Sequence, residues 1–229
     1  MRRFLGIFLL LGLGACSLEP FEKDEARLGY DYFPLEGGRY WEYTVVRTQY
    51  RIDKTIAQDT FQVRWQLEDT LLWTEEVKQM ELVSYSLSSS GAWQEDSLWI
   101  AERRPNQLIL TRGTISTIVL AFPPQTGLQW NGYALQSAQE QLFEVTNSEN
   151  IFQYDTLTYT PVLEVLQRNY TDNVTGEDDY REIFQKGVGL VYSEKNKTIY
   201  CSQEDCRGQQ IIEFGERLHY ILTAHGKEE

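Results

Sequence analysis

The chain has 229 residues, a formal net charge of −13, and 13% aromatic residues including 14 Tyr and 6 Trp. That acidic balance excludes nucleic acid and anionic lipid surfaces as partners, because both require a basic face. The aromatic richness favours pleated, half-buried surfaces over helices, and so predicts β structure.

The first element is a leader. Arg2 and Arg3 form a positive region and Phe4 to Leu13 an apolar one. Ten helical residues rise only about 15 Å, half of a roughly 30 Å hydrocarbon core, so this run does not span a bilayer. Small Gly14 and Ala15 then precede Cys16. A Leu-Gly-Ala-Cys end to such a leader resembles the lipobox of bacterial lipoproteins. The resemblance implies cleavage before Cys16, a thioether-linked diacylglycerol on its sulfur and a palmitate-type acyl group on its amine. One acyl chain holds a protein only marginally, whereas two or more anchor it stably. The alternative is an ordinary secretory leader cut after Ala15, leaving Cys16 a free thiol. Ser17, where an Asp would signal inner-membrane retention, favours the outer membrane. The leaflet stays open, since the acidic residues Glu19, Glu22, Asp24 and Glu25 resemble a surface-export tether only loosely and serve equally as a solvated linker.

Residues 1–15 are thus expected to be a signal peptide and residues 16–29 a lipidated N-terminus and tether. Residues 30–229 are expected to form a single β domain, or two similar β halves at 30–120 and 121–229. Loss of Arg2 and Arg3 with the leader takes the formal charge to −15 on 214 residues.

Phe61-Gln62-Val63-Arg64-Trp65-Gln66-Leu67-Glu68 alternates apolar and polar without a break, which places Phe61, Val63, Trp65 and Leu67 on one face of a strand. Strands are also expected at Tyr40–Tyr50, Met80–Leu87, Gln107–Thr111, Ile115–Phe122, Gln141–Thr146, Val162–Tyr170, Tyr180–Phe184, Gly189–Ser193 and Gln210–Leu222. Turn residues separate them at 88–91, 104–106, 147–150 and 171–176. Short helices at Glu68–Lys78 and Ser137–Gln141 have weak support. Closely spaced strands without crossover helices predict an all-β, antiparallel, strongly curved sheet, half-barrel or barrel-like, with few or no helices.

One pattern repeats. Phe33-Pro34-x-x-x-Gly38-x-x-Trp41 and Phe122-Pro123-x-x-x-Gly127-x-x-Trp130 share residues and spacing. They read as a recurrent turn into a strand, or as the mark of a duplicated unit. The first copy, Tyr32-Phe33-Pro34-Leu35…Gly38…Trp41-Glu42-Tyr43, is similar to a motif of uncharacterised Bacteroidetes lipoproteins, which carry it just after the lipidated Cys. The later Gly187-Val188-Gly189-Leu190-Val191 matches a segment near their C-terminus. The two segments cover about a tenth of the chain. The resemblance implies a mostly β lipoprotein and supplies no catalytic residues.

With Cys16 lipidated, Cys201 and Cys206 remain as a pair in an oxidising compartment and are expected to form a disulfide across a short loop. A metal site there has poor support, since His219 and His225 are the only histidines. His219 alternates with apolar neighbours and reads as a strand-face residue. Glu177-Asp178-Asp179 beside Asp172 could supply oxygen ligands to Ca²⁺, but lacks EF-hand spacing and reads as a solvated hairpin tip. Gly187-Val188-Gly189 lacks the third glycine and following helix of a phosphate loop, and no nucleophile elbow or zinc-protease motif occurs. No cofactor is therefore expected.

These features point to a lipid-anchored outer-membrane lipoprotein acting as a non-enzymatic binding or envelope-assembly module. Its expected partners are the membrane, through the lipid on Cys16, and a protein or an apolar ligand. A passive structural subunit is the first alternative. A surface hydrolase is the second, and it requires two carboxylates about 5–10 Å apart in a cleft.

Overall fold

The computed structural model describes residues 25–52, 56–136, 140–172 and 174–228. Strand β1 (Arg39–Tyr50) turns Trp41, Tyr43 and Val45 to one side, and all three are buried. β2 (Ile56–Trp73) does the same with Val63, Trp65 and Leu67, and its register sets Trp41 opposite Trp65 and Tyr43 opposite Val63. The period of two in each strand thus builds a continuous apolar face.

The remaining strands are β3 (Lys78–Leu87), β4 (Trp93–Arg104), β5 (Gln107–Arg112), β6 (Ile115–Ala121), β7 (Gln129–Asn131), β8 (Leu142–Tyr154), β9 (Leu157–Asp172), β10 (Gly176–Gln185), β11 (Gly189–Tyr200) and β12 (Ile212–Lys227). All twelve form one antiparallel sheet in the order β6-β5-β4-β3-β2-β1-β12-β11-β10-β9-β8-β7. Strand pairing therefore follows the chain everywhere except at two places. β1 pairs with β12, and β6 and β7, neighbours in sequence, lie at opposite edges of the sheet. The edges meet again as the sheet curls: the Ile118 N–H donates to the Gly132 carbonyl at 2.8 Å, and the Trp130 indole donates to the Ile118 carbonyl at 2.8 Å. The result is a nearly closed barrel with its core inside, which leaves little bare strand edge.

One end of the barrel carries the β2–β3, β4–β5, β8–β9 and β10–β11 turns, and the N-terminal segment plugs it. This segment is a helical turn α1 (Glu25–Leu28) followed by a 3-10 turn at Tyr30–Tyr32. The Tyr30 hydroxyl donates to the Pro105 carbonyl at 2.9 Å, and the Asp31 carbonyl accepts the Gly187 N–H at 2.8 Å. Tyr30 meets Phe122 edge-on at 4.9 Å and Phe33 stacks on Trp41 at 5.1 Å. The expected tether thus ends in residues that already belong to the fold, since Leu28 packs against the core. The leader and Cys16 lie outside the described residues.

The repeated Phe-Pro-x-x-x-Gly-x-x-Trp segments perform the same local task. Gly38 and Gly127 have φ of 77° and 86°, third residues of turns closed by the Arg39 N–H to Glu36 carbonyl (3.2 Å) and Leu128 N–H to Gln125 carbonyl (3.0 Å) bonds. That conformation is the type II turn, which favours glycine at this position. Each glycine N–H then reaches a strand carbonyl, Gly38 to Leu67 at 2.7 Å and Gly127 to Val145 at 2.8 Å. Each turn opens a run of six strands, β1–β6 and β7–β12. The Trp of each donates its indole N–H to a backbone carbonyl, Trp41 to Val188 and Trp130 to Ile118.

Three features depart from the sequence reading. β4 and β7 occur where no strand is expected; the acids Glu95 and Asp96 and a register shift against β3 at Ser84/Tyr85 obscure the period of β4. Asn147 to Asn150 is not a turn: β8 runs through it with shifts at Val145/Asn147 and Ser148/Asn150, and Glu149 sits at φ 61°. The extra residues are taken up as bulges that bend the strand. Glu68 to Lys78 holds the end of β2 and a turn rather than a helix.

Candidate functional site

The structure scatters the residues singled out by sequence. Cys201 and Cys206 stand at disulfide distance, Cα atoms 5.8 Å apart, in the loop between β11 and β12. Glu177 pairs with Arg217 at 3.3 Å and Asp178 with Arg168 at 2.6 Å, while Asp172 accepts the Val174 and Thr175 N–H groups at the β9–β10 tip. Arginines and backbone amides thus hold oxygens that a cation would need. Among the described residues no group of three or more His, Cys, Asp and Glu side chains is arranged to hold a metal ion.

His219 lies on the outer face of β12. Its Nε2 is 3.6 Å from Glu194, beyond hydrogen-bond reach, and Glu194 accepts from Arg181, Asn196 and Tyr192. Phe152 and Tyr154 of β8 cover this cluster by packing on Tyr192, both about 5 Å from its ring. Burial holds the imidazole below its ordinary pKa, against the pull of Glu194.

The candidate site is inside the barrel, at the end opposite the N-terminal plug. Here the sheet encloses a cavity of about 360 Å³, at the small end of the roughly 300–1,000 Å³ common for small-molecule sites. Trp65 of β2, Trp99 of β4 and Tyr220 of β12 form an aromatic wall. Their ring centroids lie 5.2 Å (Trp65–Trp99) and 5.9 Å (Trp65–Tyr220) apart. Leu110, Ile115, Val119, Tyr133 and Leu218 complete the apolar lining, and Thr117 of β6 sits beside them. Tyr43 closes the inner side against Trp65 at 4.9 Å, with its hydroxyl bonded to the Leu190 carbonyl.

A polar group interrupts this lining. Glu182 of β10 is 4% exposed and accepts hydrogen bonds from the Tyr180 hydroxyl (2.8 Å) and the Gln167 amide (2.7 Å). Ser193 faces it across the β10–β11 ladder and also lines the cavity. Arg112 reaches in from the end of β5, its guanidinium 4.4 Å from the Trp99 centroid and 5.5 Å from that of Trp65, within cation–π range. Burial pushes the Glu182 carboxyl above its ordinary range, although Tyr180, Arg112 and Gln167 all pull the other way. Burial also pushes the Tyr180 phenol well above its usual value.

The sign of the consequence follows from linkage. A carboxyl that binds its proton more tightly when folded stabilises the protein below the unfolded carboxylate range, and that contribution is lost as pH rises through the folded value. Glu182→Gln keeps the shape and removes the titration, because Gln167 can reverse its amide to serve the new partner. The variant is expected to unfold at higher urea than the parent at pH 8, with the gap closing by pH 4. A gap independent of pH would contradict this account.

Sequence reading missed Glu182, Gln167 and Arg112, yet a signal exists. Gln167 continues the inward phase of Leu163 and Val165, Glu182 lies between inward Tyr180 and Phe184, Ser193 follows inward Val191, and Arg112 follows Leu108 and Leu110. Polar residues in the apolar phase of four strands converge on one cavity. Among the described residues lining it, Glu182 is the single carboxyl group. The paired carboxylates required for glycoside hydrolysis therefore do not meet here.

Fold and site together define a nearly closed, twelve-stranded antiparallel barrel with one plugged end and a mixed aromatic and polar cavity toward the other. No family model matches the chain, and no curated protein matches it. Among solved structures it is similar to a candidate lipoprotein of Parabacteroides distasonis, at 11% identity and a TM-score of 0.40, over 85% of this chain and 98% of that one. It is also similar to a candidate exported protein with a YmcC-like fold from Bacteroides fragilis, at 10% identity and a TM-score of 0.44, again over 85% and 98%.

Proposed function

We propose that the chain is a lipid-anchored lipoprotein of the bacterial envelope, held at the outer membrane through Cys16, and that its barrel binds a small molecule without transforming it. The leader Arg2 to Ala15 and the Cys that follows support the anchor. The cavity between Trp65, Trp99, Tyr220 and Glu182 carries the binding function, since it pairs apolar walls with a few convergent polar groups. The N-terminal plug lies at the other end of the barrel, so the anchored end and the cavity end are opposed. In this arrangement the mouth faces away from the membrane that holds the protein.

Each half has its own test. Intact mass of membrane-extracted protein is expected to show acyl groups on Cys16, and Cys16→Ser to move the protein into the soluble fraction; an unmodified thiol would remove the anchor. For the cavity, small aromatic and aliphatic molecules screened by NMR against the full mature chain are expected to yield binders lost in Thr117→Trp, which fills the space. A screen whose binders all survive that substitution would remove the cavity as the site.

A further inference from the structure

The charge at the cavity mouth runs against the charge of the molecule. The chain carries 34 acidic and 21 basic residues, yet the cavity and the smaller cleft beside it are lined by Arg112, Lys195, Lys197 and Arg168 against one carboxyl, Glu182. The two spaces adjoin, since Tyr133, Gln167, Tyr180 and Lys195 line both. Arg168 is matched by Asp178 at 2.6 Å. Arg112, Lys195 and Lys197 form no ion pair among the described residues, and the Arg112 guanidinium carbon instead lies over Trp99, 4.4 Å from its ring centroid. Asp96 and Glu216, whose charges reach Tyr220, are outside the lining.

We infer that the cavity takes a small amphiphile with one anionic group, a carboxylate, sulfonate or phosphate, at the mouth and a flat apolar body against the aromatic wall. This rests on the ligand-binding reading above and specifies its chemistry. A guanidinium carries five N–H donors in one plane and can meet a carboxylate or phosphate with two of them. Lys195 adds a mobile point charge from the facing strand. The floor agrees with the same polarity. Glu182 already accepts from Tyr180 and Gln167, one on each of its two oxygens, and is 4% exposed. The acidic remainder of the surface repels anions, and the basic mouth is where an anion gains most. Glu182 also gives a cation no exposed partner.

The test compares matched probes on the full mature chain by isothermal titration: 2-naphthoate, 2-naphthamide and 2-naphthylmethylammonium, which share a body and differ in charge. The carboxylate is expected to bind about tenfold tighter than the amide, as one charge-assisted contact provides, and the ammonium weakest. Arg112→Gln with Lys195→Gln should remove that tenfold advantage, read as the ratio of carboxylate to amide affinity within the same variant, with circular dichroism reporting an intact fold. Added salt should weaken only the carboxylate. Equal binding of carboxylate and amide, insensitive to the double variant but lost in Thr117→Trp, would overturn the anionic preference while leaving the cavity as a binding site. Binding of all three probes that survives Thr117→Trp would overturn the cavity reading itself.

Discussion

Trp41→Ala is expected to lower stability by about 3–5 kcal/mol, the range for removing a large aromatic from a packed core. Trp41 is completely buried, stacked on Phe33 of the N-terminal plug, and its indole N–H donates to the Val188 carbonyl at 2.6 Å. The space it fills is shaped by a glycine. A Cβ on Gly189 would lie 2.7 Å from the Trp41 indole nitrogen, and Gly189 adopts φ 118°, which other residues rarely reach. Alanine at 41 would leave a cavity between β1, the plug and the β10–β11 turn, and a buried carbonyl without its donor. Trp41→Phe should fall between, keeping the stacking and losing the hydrogen bond at about 1–3 kcal/mol. Urea unfolding checks both. A loss below about 1 kcal/mol for Trp41→Ala, typical of an ordinary substitution, would mean the plug does not depend on this contact.

Gly132→Val is expected to cost about 3 kcal/mol, at the upper end of overpacking effects, and to loosen the seam where the sheet meets itself. A Cβ at 132 would stand 2.4–2.6 Å from three ring atoms of buried Phe143. The ring has no easy retreat, because Trp130 and Tyr133 hold it edge-on at 6.0 and 5.9 Å. The backbone is equally tied, the Gly132 N–H donating to Gln141 at 2.9 Å and its carbonyl accepting from Ile118 at 2.8 Å. The strain should therefore reach the Ile118 amide, whose hydrogen exchange is expected to accelerate more than that of amides in β1 or β12. Gly37→Ala is the control, since a Cβ there meets nothing closer than 3.4 Å. Equal behaviour of the two glycines would show that Phe143 does not hold the seam.

The fold class was legible because period two is written plainly in residues such as Phe61 to Leu67 and is repeated between turn residues. The two Gly38 and Gly127 turns were legible for a related reason, since a positive φ leaves few residue choices. Long-range facts were not. Nothing local in β1 says that its second neighbour is β12, as that pairing joins residues such as Val45 and Tyr220. The cavity was half legible: Glu182, Gln167, Ser193 and Arg112 each break an apolar phase, but only the register of β9, β10 and β11 shows that the breaks coincide. The free space itself is a property of packing, which no single strand records. The lipid proposed for Cys16 rests on the leader sequence alone, and Cys16 lies outside the described residues.

The pairing of β1 with β12 has a consequence for how the molecule is made. Ten of the eleven strand pairings join sequence neighbours, but the second hydrogen-bonding edge of β1 waits for β12, Ile212–Lys227. Contacts of such long sequence separation form late, because loop closure must come first. A chain emerging N-terminus first therefore leaves that edge of β1 unpaired until β12 has appeared. Such an edge is a template for pairing with other chains. Loss of β12 would leave that template exposed, so this strand, which ends beside the N-terminal plug where the Glu228 N–H donates to the Gly38 carbonyl at 2.8 Å, governs whether the β1 edge is covered.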